Sequence, residues 1–226
     1  MRFWDDRVLT IDGEAMVIDK PAGLAVHPGA RTRESLEDYL HHLRFGFHRL
    51  PQPVHRLDRD TSGCLLLARN PKAHKAFQRA FEEKRVAKTY VAVLDGVPEA
   101  ESGTVDMALG KVSTAAEGWR MVPDERGKHA VTHWRVAAVR DGRAVVVFTP
   151  ETGRTHQIRV HAASGIGVPI AGDPVYGAGR GPMLLHALSL RVERGAKPPV
   201  EATAPLPPTF VSAGFGDIDL GNGDAL

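Results

Sequence analysis

The first part of the chain alternates between short apolar runs and turn residues. Two runs, at residues 8–11 and 14–18, flank the pair Asp12-Gly13. An Asp-Gly pair accepts the positive φ angles that a tight turn between antiparallel strands needs. The pattern therefore predicts a β-hairpin at the start of the chain.

Further apolar runs also predict strands. Residues 131–139 and 144–148 flank a second Asp-Gly pair and indicate another hairpin. Residues 63–68 are almost entirely apolar, and residues 86–94 are rich in β-branched side chains. A run that is apolar without alternation is typical of a strand that is buried on both faces.

Two segments have apolar residues at helical spacing instead. The first follows Ser35 and Asp38, which resemble a capping box with Asp in place of Glu. The second starts with Asn70 as a cap and Pro71 in the first helical position, and it should end near residues 83–84. The apolar stripes of the two helices are Leu36, Tyr39, Leu40 and Leu43, and Ala73, Phe77, Ala80 and Phe81.

Strands thus outnumber helices, and the order of elements has no βαβ rhythm. This favours an α+β fold with a largely antiparallel sheet, and no break in composition divides the chain into separate domains. Residues 110–128 have weak periodicity and predict a solvent-facing excursion. The Pro-rich residues 198–208 and the tail after Phe215 are expected to be peripheral.

Composition narrows the classes of protein. The longest apolar runs have five residues, far fewer than the ~20 that a membrane helix needs, and the first residues do not resemble a signal peptide. The single cysteine excludes an internal disulfide and favours a cytoplasmic location. The net charge is only +2, but 21 of the 29 basic residues are arginines, whose planar guanidinium suits phosphate without requiring a nucleic acid.

A dense polar cluster precedes the predicted strand at residues 63–68. Its ionisable members are His55, Arg56, Asp58, Arg59 and Asp60. A carboxylate between two arginines stays ionised, because opposite charges favour the charged form, and it suits nucleophilic or electrostatic work better than proton donation. On the residues alone, a solvated turn with weak local ion pairs is the favoured interpretation.

A second polar cluster covers residues 151–161. Thr155 is expected to cap a short helix, and Arg154 just before it offers an anion site. Arg159 has two interpretations that fit equally well: contact with a ligand, or a structural pair with a nearby carboxylate. The two histidines of this segment are five residues apart and miss the spacing of a helical zinc pair, so no metal is expected.

Taken together, these segments resemble the RluA-type family of RNA pseudouridine synthases. The matching motifs follow the family order over residues 8–210: Lys20-Pro21-Ala22-Gly23-Leu24 with His27-Pro28-Gly29, His55-Arg56-Leu57-Asp58 with Thr61-Ser62-Gly63, Lys88-Thr89-Tyr90-Val91, residues 153–161, and Leu184-Leu185-His186-Ala187. The second and fourth of these motifs are highly specific in combination. The resemblance therefore outweighs the solvated-turn interpretation of Asp58.

The resemblance implies a catalytic domain with a mostly antiparallel mixed sheet, flanking helices and a central RNA-binding cleft. The domain would span residues 1–212, followed by a flexible tail at residues 213–226, with no separate N-terminal RNA-binding domain. The implied reaction is the cofactor-free isomerisation of uridine to pseudouridine in RNA, after the nucleotide has been flipped out of its stack.

The resemblance also implies roles for three catalytic residues. Asp58 would act on the ribose, either by attacking the anomeric carbon or by removing a proton from the neighbouring carbon. Tyr90, which by its strand context alone would be a core residue, would stack on the uracil and assist proton removal from carbon 5. Arg159 would pair with Asp58 and keep it ionised.

Four other residues are expected to contact RNA. Arg56 would hold the space that the flipped nucleotide leaves, or the backbone of that nucleotide. His55, Arg59 and Arg154 are further candidates, with Arg154 supporting its loop or touching phosphate. Residues 31–50 and 110–128 are the surface segments expected to extend this contact.

The expected partner is a transfer RNA stem-loop, large-subunit ribosomal RNA or both, bound by a monomer without an obligatory protein partner. Two other classes of function are open. The first is an RNA-binding protein that has kept the scaffold without activity. The second is a nucleoside hydrolase with Asp58 and Asp60 as an acid–base pair, which the neighbouring arginines disfavour because they depress the pKa of both carboxyls.

Overall fold

The computed structural model describes residues 3–29, 32–114 and 118–220, and the chain forms two compact units. Unit 1 is drawn from Met1–Lys88 and Ala187–Pro205, and unit 2 from Thr89–His186 and Leu206–Leu226. Among the described residues, no helix is long and apolar enough to cross a membrane.

Strands account for most of the secondary structure. In chain order, those of the described residues are β1 (Val8–Ile11), β2 (Ala15–Lys20), β3 (Gln52–Pro53), β4 (Ser62–Ala68), β5 (Val86–Leu94), β6 (Ser102–Asp106), β7 (Leu109–Thr114), β8 (Gly118–Pro123), β9 (Val131–Arg140), β10 (Arg143–Pro150), β11 (Leu185–Arg194) and β12 (Lys197–Thr203). The helices are α1 (Pro71–Glu82), α2 (Gln157–Val160) and α3 (Pro208–Ser212), with 3-10 helices at Asp5–Arg7 and Leu36–Leu43 and a π-helical segment at His161–Ile166. The predicted α+β class is confirmed.

The sheet of unit 1 has the order β1-β2-β4-β11, with β3 added to β4 and β12 added to β11. The pairs β1–β2, β2–β4 and β11–β12 are antiparallel. Every residue of β4 is buried, and the apolar face of α1 packs on the same core as its side chains. The apolar run that predicted a fully buried strand is therefore central to this unit.

Local signals account for the turns and helix ends of unit 1. In the predicted first hairpin, the Asp12 carboxylate accepts hydrogen bonds from the Glu14 and Ala15 N–H groups at 2.7 and 2.8 Å. The Asn70 side chain accepts from the Ala73 N–H at 2.9 Å, which caps α1 directly before Pro71. Both elements begin where the sequence predicted.

Two neighbouring residues show how closely β4 approaches β11. A Cβ atom on Gly63 would lie 2.2 Å from the Ala187 carbonyl oxygen, and Gly63 has a φ of +107°. The Cys64 thiol lies 3.4 Å from the Leu188 carbonyl and 3.6 Å from the Ala202 carbonyl. Burial raises the pKa of this thiol to about 12, because a thiolate is poorly solvated there. Position 63 therefore has no room for a side chain, and position 64 requires a small, uncharged one.

The main sheet of unit 2 has the order β5-β10-β9-β6, and its pairs are antiparallel. The β9–β10 hairpin turns at Asp141 and Gly142, which both have positive φ angles, as the second Asp-Gly pair predicted. A core with Phe148, Ile158 and Leu185 among its members packs on this sheet.

The structure confirms one expectation about exposed segments and corrects another. Residues 110–128, of which 115–117 lie outside the described part of the chain, contain strands of the antiparallel hairpin β7–β8. These strands are largely exposed on both faces, as expected of a solvent-facing excursion. The expectation that the Pro-rich segment 198–208 is peripheral is wrong for β12, where Val200 and Ala202 are buried. Its two prolines lie near the start of a strand that pairs along one side only, where a missing N–H is tolerated.

The tail predicted at residues 213–226 is described as far as residue 220. Phe215 is buried, and its N–H donates to the Phe210 carbonyl at 2.8 Å. Arg140 pairs with Asp217 at 2.9 Å. Residues 221–226 lie outside the described part of the chain. The single domain at residues 1–212 and the flexibility of the tail stay predictions.

Replacement of Gly63 tests the close approach of β4 to β11. We expect Gly63→Ala to lower the free energy of unfolding by about 2 kcal/mol or more, because the new methyl group meets a backbone carbonyl and the backbone has a positive φ. Urea denaturation measures this change. Gly13→Ala is the control, since no atom lies within 4 Å of a Cβ there; equal stability of the two variants would contradict the packing.

Candidate active site

Asp58 lies in the loop between β3 and β4, at the start of a tight turn. The Thr61 N–H donates to the Asp58 carbonyl at 3.2 Å and closes a turn over residues 58–61. Strand β4 begins at the next residue, Ser62, and Asp58 is half-buried. The carboxylate is therefore carried by a short turn at the end of a rigid, buried strand, which is a common arrangement for reactive groups.

Lys20, the last residue of β2, anchors this turn. Its side chain is fully buried, and Nζ donates to the carbonyls of Pro21 at 2.7 Å, Leu24 at 2.8 Å and Arg59 at 3.1 Å. The Gly23 N–H donates to the same Arg59 carbonyl at 2.9 Å. The loop after β2 and the turn that carries Asp58 are thus fastened together.

The protonation of Lys20 is finely balanced. Burial lowers the pKa of the ammonium to about 7, while the negative charges of Asp60, Asp58 and Asp19 act in the opposite direction. A buried cation far from its usual pKa is a frequent feature of functional sites. Lys20 therefore places positive charge beside the Asp58 turn in a pH-dependent way.

His55 is held by the fold at the beginning of the same loop. Its Nε2 accepts a hydrogen bond from the Leu66 N–H at 2.9 Å, and its ring stacks on Phe81 with the centroids 4.6 Å apart. Burial, followed by the charge of Lys88, lowers the pKa of the imidazole to about 3. His55 is neutral at physiological pH, and its contact with RNA stays a prediction.

The two arginines of the loop are exposed but differ in their surroundings. The Arg59 guanidinium donates to the Asp60 carboxylate at 3.0 and 3.2 Å. Arg56 lies at the edge of a cavity of about 650 Å³ that also borders His27 and His74. Arg59 is therefore partly neutralised by Asp60 beside it.

A larger cavity, of about 1100 Å³, adjoins the anchored turn within unit 1. Residues 21–24 and Arg59 form one part of its wall, and Arg33, Trp4 and Tyr39 contribute to another part. Guanidinium groups and aromatic rings are the side chains that phosphates and unstacked bases contact in RNA complexes. This cavity therefore has side chains of the kinds that contact nucleotides.

Tyr90 lies in β5 of unit 2, opposite Phe148 of β10. The residue is half-buried and packs against the core of this unit. Its strand supports it on a rigid sheet, as the strand pattern predicted.

Arg159 lies in α2 and is buried with a carboxylate partner. Its Nε and Nη2 donate to the two Asp173 oxygens at 2.7 and 2.8 Å, and only 4% of Arg159 is exposed. Its guanidinium carbon also lies 5.2 Å from the centre of the Tyr176 ring. The two parallel hydrogen bonds and the ring fix the plane of the guanidinium.

The loop that carries Asp173 orients its carboxylate for this pairing. One carboxylate oxygen accepts hydrogen bonds from the Val175 and Tyr176 N–H groups at 2.8 and 3.0 Å. Burial alone would raise the pKa of Asp173, but the hydrogen bonds and charge of Arg159, with these N–H groups, hold it below its usual value. Both partners of this buried pair are therefore charged at physiological pH.

Gln157 fixes the start of α2. Its carbonyl oxygen accepts from the Thr152 hydroxyl at 2.7 Å and from the Arg154 N–H at 2.9 Å. Its amide nitrogen donates to the Val131 carbonyl and to the Thr132 hydroxyl, both at 2.9 Å. A buried amide with partners for both its ends locks the segment before Arg159 in place.

The start of this helix differs from the sequence-based expectation. Thr155 does not cap it: α2 begins at Gln157, and His156 precedes it with a φ of +54° and no side-chain cap. The Arg154 guanidinium donates to the His129 carbonyl at 3.0 Å. Arg154 thus supports its loop, as one of its two expected roles required, and its contact with phosphate stays a prediction.

The structure places the predicted site residues in both units. Unit 1 holds His55, Arg56, Asp58 and Arg59, and unit 2 holds Tyr90, Arg154 and Arg159. Arg159 pairs with Asp173, as the structural interpretation predicted, and its contact with a ligand stays a prediction. The pairing of Arg159 with Asp58 stays a prediction.

Sequence reasoning assigned no role to Lys20, Asp173, Gln157 or Tyr176. Lys20 follows Asp19 at the end of a strand whose first four residues are apolar, and this context is only a weak signal of a buried cation. Asp173 lies between a glycine and a proline, a context typical of a turn. In neither case does the local pattern reveal the partner.

The sequence matches the RNA pseudouridylate synthase family over residues 14–164, which is more than half of the chain. This region contains Asp58, Tyr90 and Arg159.

Curated relatives agree with this match. An uncharacterized RNA pseudouridine synthase of Zymomonas mobilis is 56% identical over 213 residues, which is 92% of this chain and 97% of the relative. Ribosomal large subunit pseudouridine synthase D of the same organism is 38% identical over 194 residues, 82% of this chain and 60% of the relative. Synthase C of Rickettsia conorii is 38% identical over 76% of this chain and 56% of that protein. The chain therefore spans little more than half the length of the two named ribosomal synthases.

Two solved human structures are also similar. RNA pseudouridylate synthase domain containing 4 aligns with a TM-score of 0.80 and 26% identity, covering 97% of this chain and 96% of that chain. RNA pseudouridylate synthase domain containing 1 aligns with a TM-score of 0.74 and 31% identity, covering 88% of this chain and 82% of that chain.

Removal of one partner tests the buried ion pair. We expect Asp173→Asn to lower the free energy of unfolding by about 3 kcal/mol or more, because the buried Arg159 guanidinium loses the charge of the carboxylate that binds two of its N–H groups. Asp217→Asn removes the carboxylate of the exposed pair with Arg140 and should leave stability unchanged, because water screens that pair. Chemical denaturation measures both, and an Asp173→Asn protein as stable as wild type would disprove the structural role of the pair.

Proposed function

Since this chain belongs to the RNA pseudouridylate synthase family and is an RluA-type isomerase that acts on RNA, we propose that Asp58 is the group that reacts with the target uridine. The observation that carries this proposal is the anchoring of its turn by Lys20 and Gly23. A carboxylate on a fixed turn at the end of a buried strand is pre-positioned for reaction, so little order has to be gained when substrate binds.

The target uridine first has to leave its stack, which costs a few kcal/mol. The Asp58 carboxylate then either attacks C1′ of the ribose or removes a proton from C2′. The bond between N1 and C1′ breaks, and the uracil turns. A bond between C5 and C1′ then forms, while the carboxylate leaves C1′ in the first route or returns the proton to C2′ in the second. C5 loses its proton and N1 gains one, so the product is an isomer of the substrate and no cofactor is needed.

Tyr90 and Arg159 serve this reaction in the proposal. The Tyr90 ring stacks on the uracil, and its hydroxyl assists the removal of the C5 proton. Arg159 supplies a positive charge that keeps the reactive carboxylate ionised. The fixed plane of its guanidinium, bound by Asp173, supports this positioning role.

The RNA backbone is contacted by exposed cations. Arg56 holds the space or the phosphate left by the flipped nucleotide, and Arg59 and Arg154 contact neighbouring phosphates. His55, on the same loop as Arg56, takes part in this contact as a neutral group. Such contacts make the affinity for RNA fall as the salt concentration rises.

Large-subunit ribosomal RNA is the substrate that we favour. Two relatives that cover most of this chain are named ribosomal large subunit synthases, and this chain shares their matched region. A transfer RNA stem-loop is the second candidate, and we expect the protein to modify RNA in the cytoplasm as a monomer.

Removal of the carboxylate tests the catalytic assignment. We expect Asp58→Asn to lower the rate of tritium release from RNA labelled at uridine C5 by roughly three orders of magnitude or more, because a reacting group is lost. Affinity for the same RNA should stay within about threefold, since the backbone contacts remain. Filter binding and single-turnover release measure the two effects, with Asp60→Asn, which loses a neighbouring carboxylate, in parallel.

The same assay separates the other functions. Release by wild type with intact strands and bases supports a synthase, whereas free uracil in the product would indicate a hydrolase. RNA binding without release by wild type would indicate an inactive RNA-binding protein. Near-normal release by Asp58→Asn would overturn the assignment of Asp58. An equal loss in Asp60→Asn would point to the acid–base pair of the hydrolase alternative.

Mapping of pseudouridine identifies the substrate. We expect large-subunit ribosomal RNA from cells that lack this protein to have lost at least one pseudouridine, and the purified wild-type protein to restore it. The Asp58→Asn protein is the matched control and should restore none. Loss confined to transfer RNA would replace our favoured substrate with the second candidate.

A further inference from the structure

The hairpin β7–β8 of unit 2 presents an aromatic ring to solvent. Trp119 is 45% exposed, whereas the other two tryptophans of the chain, Trp4 and Trp134, are 4% and 7% exposed. In a hairpin whose strands are mostly exposed, a large exposed indole is not needed for packing. Packing in the core therefore does not account for an aromatic ring at this position.

Two side chains contact the Trp119 ring. The His156 ring lies 5.0 Å from it, centre to centre, and is tilted by 30°. The Lys111 ammonium lies 5.1 Å from its centroid. His156 is half-buried and fixed beside α2, whereas Lys111 is exposed on a flexible stem. The ring thus has a rigid support and a mobile cation.

The hairpin is tied to the residues that position Arg159. The Met121 N–H donates to the Tyr176 hydroxyl at 2.9 Å, and that hydroxyl lies 2.9 Å from His156 Nδ1. The Tyr176 ring in turn faces the Arg159 guanidinium. All of these contacts lie within unit 2, so the exposed ring stands at a fixed place relative to Arg159.

We propose that Trp119 is a stacking platform for an unpaired base of the RNA substrate, and that Lys111 binds the phosphate of that nucleotide. This inference rests on the proposed function, since it concerns the same RNA. On binding, the base takes the place of the Lys111 ammonium over the indole, and the flexible lysine stem lets the charge move to the phosphate.

The charge of the hairpin favours RNA over an acidic or an apolar protein surface. Lys111 supplies a positive charge on the face that carries Trp119, and neither strand has an acidic residue. An aromatic ring beside a cation is the usual platform for single-stranded RNA. An unpaired base presents the π-face that the indole needs, whereas a paired base does not. The platform therefore selects loops over duplexes.

Fluorescence and binding test the platform. The probes are an RNA hairpin with an unpaired loop and a fully paired RNA duplex. We expect Trp119→Ala to raise the Kd for the hairpin by about tenfold, because base–aromatic stacking is worth about 1–3 kcal/mol. Trp119→Phe keeps a ring and should bind within about threefold of wild type. Binding of the duplex should be the same in all three proteins.

The intrinsic fluorescence provides a direct readout. Hairpin RNA should quench the wild-type signal, and Trp119→Phe should lose the large part of this quenching that comes from the stacked indole. Trp4, at the wall of the larger cavity, accounts for the small part that remains. Val112→Ala is the matched control: Val112 is 38% exposed and lies on the other face of the hairpin, opposite Arg120. It should bind and be quenched as wild type.

The kinetics separate this inference from the proposed function. In the tritium assay, Trp119→Ala should have a higher KM and an unchanged rate at saturating RNA, because Trp119 does not touch the reacting atoms. Wild-type affinity for the hairpin in Trp119→Ala, or quenching in Trp119→Phe that is as large as in wild type, would overturn the platform. The wild-type protein could also release no tritium while RNA still quenches its fluorescence and Trp119→Ala still binds the hairpin less tightly. That result would support the platform and overturn the synthase proposal.

Discussion

The buried ammonium of Lys20 is the constraint on which the Asp58 loop depends. It is bound by three backbone carbonyls, one of them 39 residues away in sequence, so a single side chain joins the end of β2, the loop after it and the turn before β4. Backbone carbonyls satisfy a buried cation without neutralising it. These hydrogen bonds fasten the turn that carries Asp58, and the pKa of about 7 means that the positive charge beside this turn decreases as the pH rises above neutrality.

Unit 2 fixes its cation in a different way. Asp173 accepts hydrogen bonds from two of the N–H groups of Arg159, and the Tyr176 ring lies against the guanidinium. A planar guanidinium held in this manner has one orientation, which the flexible ammonium of a lysine would not have. The Tyr176 hydroxyl extends the same arrangement to the β7–β8 hairpin. The segment that holds the arginine and the surface that we assign to RNA are thus one packed assembly.

The sequence predicted those features that depend on neighbouring residues. Asn70 and Pro71 start α1 because cap and first-turn preferences act locally, and Asp12 closes the first hairpin through N–H groups two and three residues away. The motif match selected Asp58, Tyr90 and Arg159 as candidates. The carbonyls around Lys20 belong to backbone, which carries no side-chain signature, and the partner of Arg159 lies 14 residues farther along the chain. Strand β12 was missed because its prolines, which suit the open side of a sheet, are also typical of loops.

The single cysteine of the chain, Cys64, allows the opening of strands in unit 1 to be measured by alkylation. Cys64 is enclosed by β4, β11 and the β12 carbonyl of Ala202, and its thiol stays protonated, so an alkylating reagent cannot modify it while the strands remain closed. Since the chain has no second thiol, every alkylation event records one opening of these strands. The frequency with which the sheet opens next to the loop that carries Asp58 can therefore be followed in the native protein without a separate label.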